Sequence, residues 1–145
     1  MTAEELVAAL FERLSLTDLQ PEEPGRWRIV FDGDLAVDLQ LLGPKRIRLE
    51  AALGPLPDDD YRAEMLLRTT LQRNLAFMGG GVAKNVLILD PDRGILSIHR
   101  TEIAEDSDEE SFAAAVEDFV NAAEGWLEFL AVEAAPTPPG FAMRM

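Results

Sequence analysis

Residue types that could do chemistry are few in this chain, and none falls in a complete pattern. Gly79-Gly80-Gly81 with Lys84 is the nearest approach to a phosphate-binding loop. Lys84 is not followed by Ser or Thr, however, and the glycines close a helical pattern where such a loop would open one. They read as a helix C-cap and connector. Asp90, Asp92 and Gly94 superficially match a calcium loop, but the position that needs Gly holds Ile95 and the one that needs a bidentate Glu holds Thr101. A turn is the better reading.

His99 is the only histidine and there is no cysteine, so a transition-metal site would have to be assembled from carboxylates in unrelated places. Ser15, Ser97, Ser107 and Ser111 lack the signature of an activated nucleophile. Pairs of acids are easy to find among 27 Asp and Glu, but none stands where one pKa would rise and the other would not. No catalytic, cofactor-binding or metal-ligating residue is assigned, no cofactor is expected, and the chain is read as a non-enzyme. Carboxylate hydrolysis is the only chemistry the composition would allow.

At 145 residues the chain is one domain by length and can bury about two thirds of its unfolded surface. The formal charge of −14 argues against nucleic acid and anionic membrane as partners, because phosphate contacts need clustered Lys and Arg. Eleven acids and no Lys or Arg lie between Thr101 and Glu133, which marks an acidic face that is solvated or, as the second reading, turned toward a partner. The N-terminus is acidic where a signal peptide would be basic, and no apolar run is long enough to span a membrane. A soluble, cytoplasmic protein is expected.

The elements that would position any site follow from periodicity. Leu6, Val7, Leu10, Phe11 and Leu14 sit at helical spacing, with Thr2 and Glu5 forming a capping box. After Pro21, Pro24 and Gly25 the period changes to two. Trp27, Ile29 and Phe31 alternate with Arg26 and Arg28; Leu35, Val37, Leu39 and Leu41 alternate with Asp38 and Gln40; Ile47, Leu49, Ala51 and Leu53 alternate with Arg46, Arg48 and Glu50. Turns at Asp32-Gly33-Asp34 and Gly43-Pro44 join the three into an antiparallel meander, whose arginines read as solvation of an outer face and partners for nearby acids.

The chain is organised around what comes next. Asp58, Asp59 and Asp60 open a helix that runs without Gly or Pro to Met78. Leu67, Leu71, Leu75 and Met78 form one stripe, and Leu66, Thr70 and Phe77 fall on a neighbouring face. Such a helix is too apolar for one sheet to cover easily, so one face is expected against its own sheet and the other against a second copy of the chain, the alternative being one wide core face in a monomer. Val86–Leu89 and Ile95–Ile98 are short strands joined by Asp90-Pro91-Asp92-Arg93-Gly94, a hairpin apolar on both faces. A last helix carries Phe112, Val116, Phe119, Val120, Ala123, Trp126, Leu127 and Leu130, interrupted only by Gly125. The expected fold is α+β: helix, three-stranded antiparallel meander, helix, β-hairpin, helix, with one twisted sheet packed against helices. Residues 1–133 form the domain and 134–145 a flexible Pro-rich tail.

This order, with LLRTTLQRNLAFMGGG at the central helix and its exit, LILDPDRGILSIHR in the hairpin and FVNAAEGWLEFL in the last helix, resembles the type III secretion chaperones of the Tir-chaperone (CesT-like) family. The likeness spans about Ala3 to Leu130; the acidic linker Glu105 to Glu110 and the Pro-rich tail depart from it. The resemblance implies a homodimer built on the central helix and adjoining strands, which places Leu67, Leu71, Leu75, Phe77 and Val86 at the dimer interface. It also implies a protein that works without ATP and holds the N-terminal segment of a secreted effector, soluble and secretion-competent. Leu6, Leu10, Leu14, Leu35, Leu42 and Ile47 are the expected effector-binding residues, with a place in the core as the competing reading of each. A regulatory adaptor of the same fold, binding a folded partner that is not secreted, is the alternative.

Overall fold

The computed structural model describes residues 1–78 and 84–134, and the side chains of all of these except 75–78 and 134. The triple glycine and the Pro-rich tail lie outside the described residues.

Eight principal elements follow in the expected order: α1 (Ala3–Arg13), β1 (Arg26–Phe31), β2 (Leu35–Leu41), β3 (Arg46–Pro55), α2 (Asp60–Met78), β4 (Val86–Asp90), β5 (Ile95–Ile103) and α3 (Glu109–Ala134). α1 starts as its capping box dictates. The Thr2 hydroxyl accepts from the Glu5 backbone N–H at 3.2 Å and donates to the Glu5 carboxylate at 3.2 Å. α3 is capped reciprocally by Asp108 and Ser111: the Ser111 N–H donates to Asp108 Oδ1 at 2.8 Å and the Asp108 N–H to Ser111 Oγ at 2.9 Å. That cap moves the start of α3 to Glu109, three residues ahead of its first buried side chain, Phe112.

The strands form one antiparallel sheet in the order β1-β2-β3-β5-β4. Asp32 and Gly33, both at positive φ (51° and 84°), make the tight β1–β2 turn. β5 runs to Ile103, five residues beyond the apolar run that marked it in the sequence. Its polar half is held because β3 pairs with it along the whole length, from Pro55↔Ile95 to Arg46↔Ile103. The ladder shifts register between Ala52 and Gly54, where Gly54 takes φ +131°, a conformation open to glycine and strained for other residues.

Residues paired across an antiparallel ladder share a face, so the register sorts the sheet. Ile29, Val37, Leu39, Ile47, Leu49, Ala51, Leu96 and Ile98 are buried on the face that α1 and α3 cover. α3 lays Phe112, Val116, Phe119, Val120, Ala123, Trp126 and Leu130 into this core, and α1 adds Leu6, Val7, Leu10 and Phe11. Phe11 meets Trp27 of β1 edge to face at 5.4 Å. The opposite face carries no helix of this chain's core. There Asp38 accepts from Arg26 at 3.2 Å and Arg28 at 3.1 Å, and Arg48 bonds Glu50 at 2.9 Å, so three of the meander's four arginines, Arg26, Arg28 and Arg48, are partnered by acids.

α2 departs from expectation in one respect. Its inner face, Leu66 and Thr70, is buried, but its main neighbour is α3 and not the sheet. Arg73, one turn on, stacks over the Phe129 ring at 4.5 Å and lies 6.0 Å from that of Trp126, both on α3. α3 already occupies the sheet's covered face, so α2 reaches the core only at its flank.

Candidate binding surfaces

The chemistry weighed in the sequence can now be located. The Asp90 carboxylate is consumed by its own turn, accepting from the N–H groups of Asp92 at 3.0 Å and Arg93 at 3.3 Å, while the Gly94 N–H donates to Asp90 O at 2.8 Å with Gly94 at φ +62°. β3 and β5 also bring together three residues that no sequence pattern associates. His99 Nε2 lies 3.3 Å from Ser97 Oγ and 3.3 Å from Glu50 Oε1. Both contacts fall on the same ring nitrogen, whereas a nucleophile–base–acid relay needs the serine and the acid on opposite nitrogens. Burial pushes the His99 pKa below its ordinary value, and nearby Arg48 pushes the same way against Glu50. The group is a cross-strand polar contact. No group of three or more His, Asp or Glu close enough to hold a metal occurs among the described residues.

What the surface offers instead is apolar. On α2, Tyr61 (69% exposed), Met65 and Leu71 (60%) face outward, while Leu67, beside Leu66 and Thr70, is half-buried against the core. On β4, an edge strand, Val86 (50%), Ile88 and Leu89 are exposed. Register puts Val86 and Ile88 on the helix-free face opposite His99 and Ser97, and Leu89 on the other face opposite Leu96. Exposed apolar groups of this size give a protein surface the character of a partner site. Of the expected dimer residues, Leu71 and Val86 thus present surface, Leu67 does so in part, and Leu75 and Phe77 lie outside the described residues.

The expected effector residues divide more sharply. Leu6, Leu10, Leu35 and Ile47 are core residues of the protomer, at 0–5% exposure, and offer no surface to a partner. Each is the inward member of an alternation or a helical stripe and lies in the same core cluster as the buried residues of α3. Leu14 and Leu42, in the loops that end α1 and β2, remain exposed. Periodicity marks an apolar face and cannot say whether the chain itself covers it. Missed in the sequence were Tyr61, Met65 and Ile88. Their signal was an apolar residue outside the stripe assigned to its helix, or on the second face of an edge strand.

The fold is thus α+β, one antiparallel sheet covered on one face by α1 and α3, with exposed apolar side chains on α2 and β4. The family model of the Tir chaperone protein (CesT) family matches residues 5–127, and the chain belongs to that family. Three solved structures are similar in fold. One, a structure of the ExsC–ExsE complex, is 24% identical with a TM-score of 0.62, covering 87% of this chain and 91% of that one. Another, the Yersinia pestis type III secretion chaperone SycH with a stable fragment of YscM2, is 18% identical with a TM-score of 0.61, covering 84% and 97%. The third, the ExoU–SpcU heterodimeric complex of the type III secretion system of Pseudomonas aeruginosa, is 14% identical with a TM-score of 0.63, covering 84% and 95%. No curated protein matches the chain by sequence. The fold is that of type III secretion chaperones, and no helix among the described residues is long and apolar enough to cross a membrane.

Proposed function

We propose that the chain acts in the cytoplasm as a homodimeric, ATP-independent chaperone that holds the N-terminal segment of a type III secretion effector soluble and competent for export. The observation that carries this reading is the family match over residues 5–127. Outward apolar side chains on α2 and β4 support it. In this reading α2 packs on α2 of a second copy through Leu67 and Leu71, joined by Leu75 and Phe77, with Val86 of β4 at the margin. The effector segment lies across exposed positions that include Leu14 and Leu42. It loses conformational entropy on binding, a cost of roughly 2–5 kcal/mol, and offsets it by burying its own apolar side chains.

Co-expression with the N-terminal segment of each secreted protein of the same organism tests the reading. One segment is expected to co-purify, to stay unfolded when alone, and to resist protease only in the complex, with no added nucleotide. If the captured partner is folded and not secreted, the chain is a regulatory adaptor. If no secreted protein is captured, the chaperone reading falls.

A further inference from the structure

A groove of about 180 Å³ opens where the start of α2 meets the end of α3. Pro57, Tyr61, Met65 and Leu66 give it an apolar lining, Thr69 adds a hydroxyl, and Arg62 and Glu133 supply opposite charges. Tyr61 and Met65 are exposed there, and Val132, one residue before Glu133, is exposed as well. Its volume is close to the roughly 150 Å³ of a cavity that accepts a benzene ring, so the groove has room for one aromatic side chain.

The proposed contact between copies does not fill it. Met65 and Thr69 lie roughly 160° around α2 from Leu67 and Leu71, so a second copy packed on the Leu67–Leu71 side leaves the groove open. The chain itself supplies an occupant. α3 ends at Ala134, next to the lining residue Glu133, and residues 135–145, outside the described residues, read APTPPGFAMRM. Phe141, Met143 and Met145 alternate with Ala142 and Arg144, the two-residue period of an extended segment with one apolar face. Pro138-Pro139-Gly140 before them is the chemistry of a turn that reverses the chain.

Reach and charge agree with this. Phe141 stands eight positions beyond Glu133, a span of at most about 28 Å, and a tether of that length holds its end at an effective concentration in roughly the millimolar range. Arg144 is the one charged side chain after Glu133, and Asp58, Asp59 and Asp60, all exposed, lie between the lining residues Pro57 and Tyr61. We propose that residues 140–145 fold back into the groove between α2 and α3 of their own chain, with the Phe141 ring against Tyr61 and Met65 and Arg144 toward Asp58, Asp59 and Asp60. Aromatic and thioether groups both give a phenyl ring favourable contacts. Docked in this way, the segment is a tethered cover over apolar surface that neither the protomer core nor the proposed dimer contact uses.

Tyr61 is the single tyrosine, so the full chain grown with fluorotyrosine gives one fluorine resonance that reports on the groove. Phe141→Ser is expected to move that resonance toward the position of free fluorotyrosine. Trypsin is expected to cut after Arg144 at least tenfold faster in Phe141→Ser, and in Met65→Lys on the groove side, than in the unsubstituted chain, with circular dichroism unchanged. A resonance unmoved by Phe141→Ser, or equal cleavage after Arg144 in all three chains, overturns the proposal. So does return of the resonance when labelled Phe141→Ser chain is mixed with an excess of unlabelled, unsubstituted chain, which would put the segment of a second copy in the groove. Neither readout involves an effector, so this docking and the chaperone reading stand or fall separately.

Discussion

Asp38 and Glu124 show opposite uses of a carboxylate in a chain rich in them. Burial alone would push Asp38 up, but hydrogen bonds from Arg28 and Arg26, with their charges, bring its pKa below the ordinary 3.8. A carboxyl depressed in the fold contributes stability that is present above its unfolded value and lost as pH falls through the folded value. Asp38→Asn is therefore expected to lower the thermal midpoint at pH 7 and to flatten its decline below about pH 4, measured by circular dichroism. Glu124 on α3 runs the other way: Asp32 beside it, then burial, push its pKa above the ordinary 4.5, and its Oε1 is buried with no donor. Its charged form opposes folding, and the penalty is relieved as pH falls and the folded state takes up the proton. Glu124→Gln is expected to raise the midpoint at pH 7, with the gain shrinking toward pH 4. An unchanged midpoint at both pH values would remove the Asp32–Glu124 repulsion from the account.

At the scale of elements, α3 is the support for everything else and carries one defect. Gly125 lies in its interior, exposed, and a Cβ built there meets nothing within 4 Å. Gly125→Ala removes only backbone freedom, so it is expected to stabilise the fold by about 1 kcal/mol, read as a rise in denaturation midpoint. α2 is the element with surplus apolar surface. Leu71, at 60% exposure, contributes little to the protomer core, so Leu71→Glu is expected to leave the circular dichroism spectrum intact while shifting sedimentation from the proposed dimer to monomer. An unchanged oligomer would take Leu71 out of the interface. The two-faced character of α2 was legible in its sequence, because stripes 67/71 and 66/70 are simple periodicities. That its inner face would meet α3 and not the sheet was not legible, because the pattern of one helix says that it is covered and not by what.

For the whole molecule, high charge and exposed apolar surface coexist. A sequence pI near 4.3 means that the repulsion keeping such surfaces apart fades as pH approaches that value. Light scattering is expected to rise steeply between about pH 5 and pH 4.3, and salt at pH 7 to strengthen rather than dissolve the proposed dimer, because screening removes like-charge repulsion while apolar contact remains. Dissociation by salt would instead point to an interface held by ion pairs.

The sequence alone determined the elements, their order and the α+β class, because strand and helix periods, the Thr2–Glu5 box and the Asp32-Gly33 and Gly94 turns are local properties of a few residues. It also determined that no recognised catalytic motif is present, and its longest patterns carried the family resemblance. Only the tertiary structure decided which apolar residues remain outside. Leu6, Leu10, Leu35 and Ile47 are buried in a core that α1, the sheet and the distant α3 share, while Tyr61, Met65 and Ile88 are left open. Burial is set by contacts between distant segments, and so are the meeting of Tyr61, Met65 and Glu133 in one groove and the pairing of the polar half of β5 with β3.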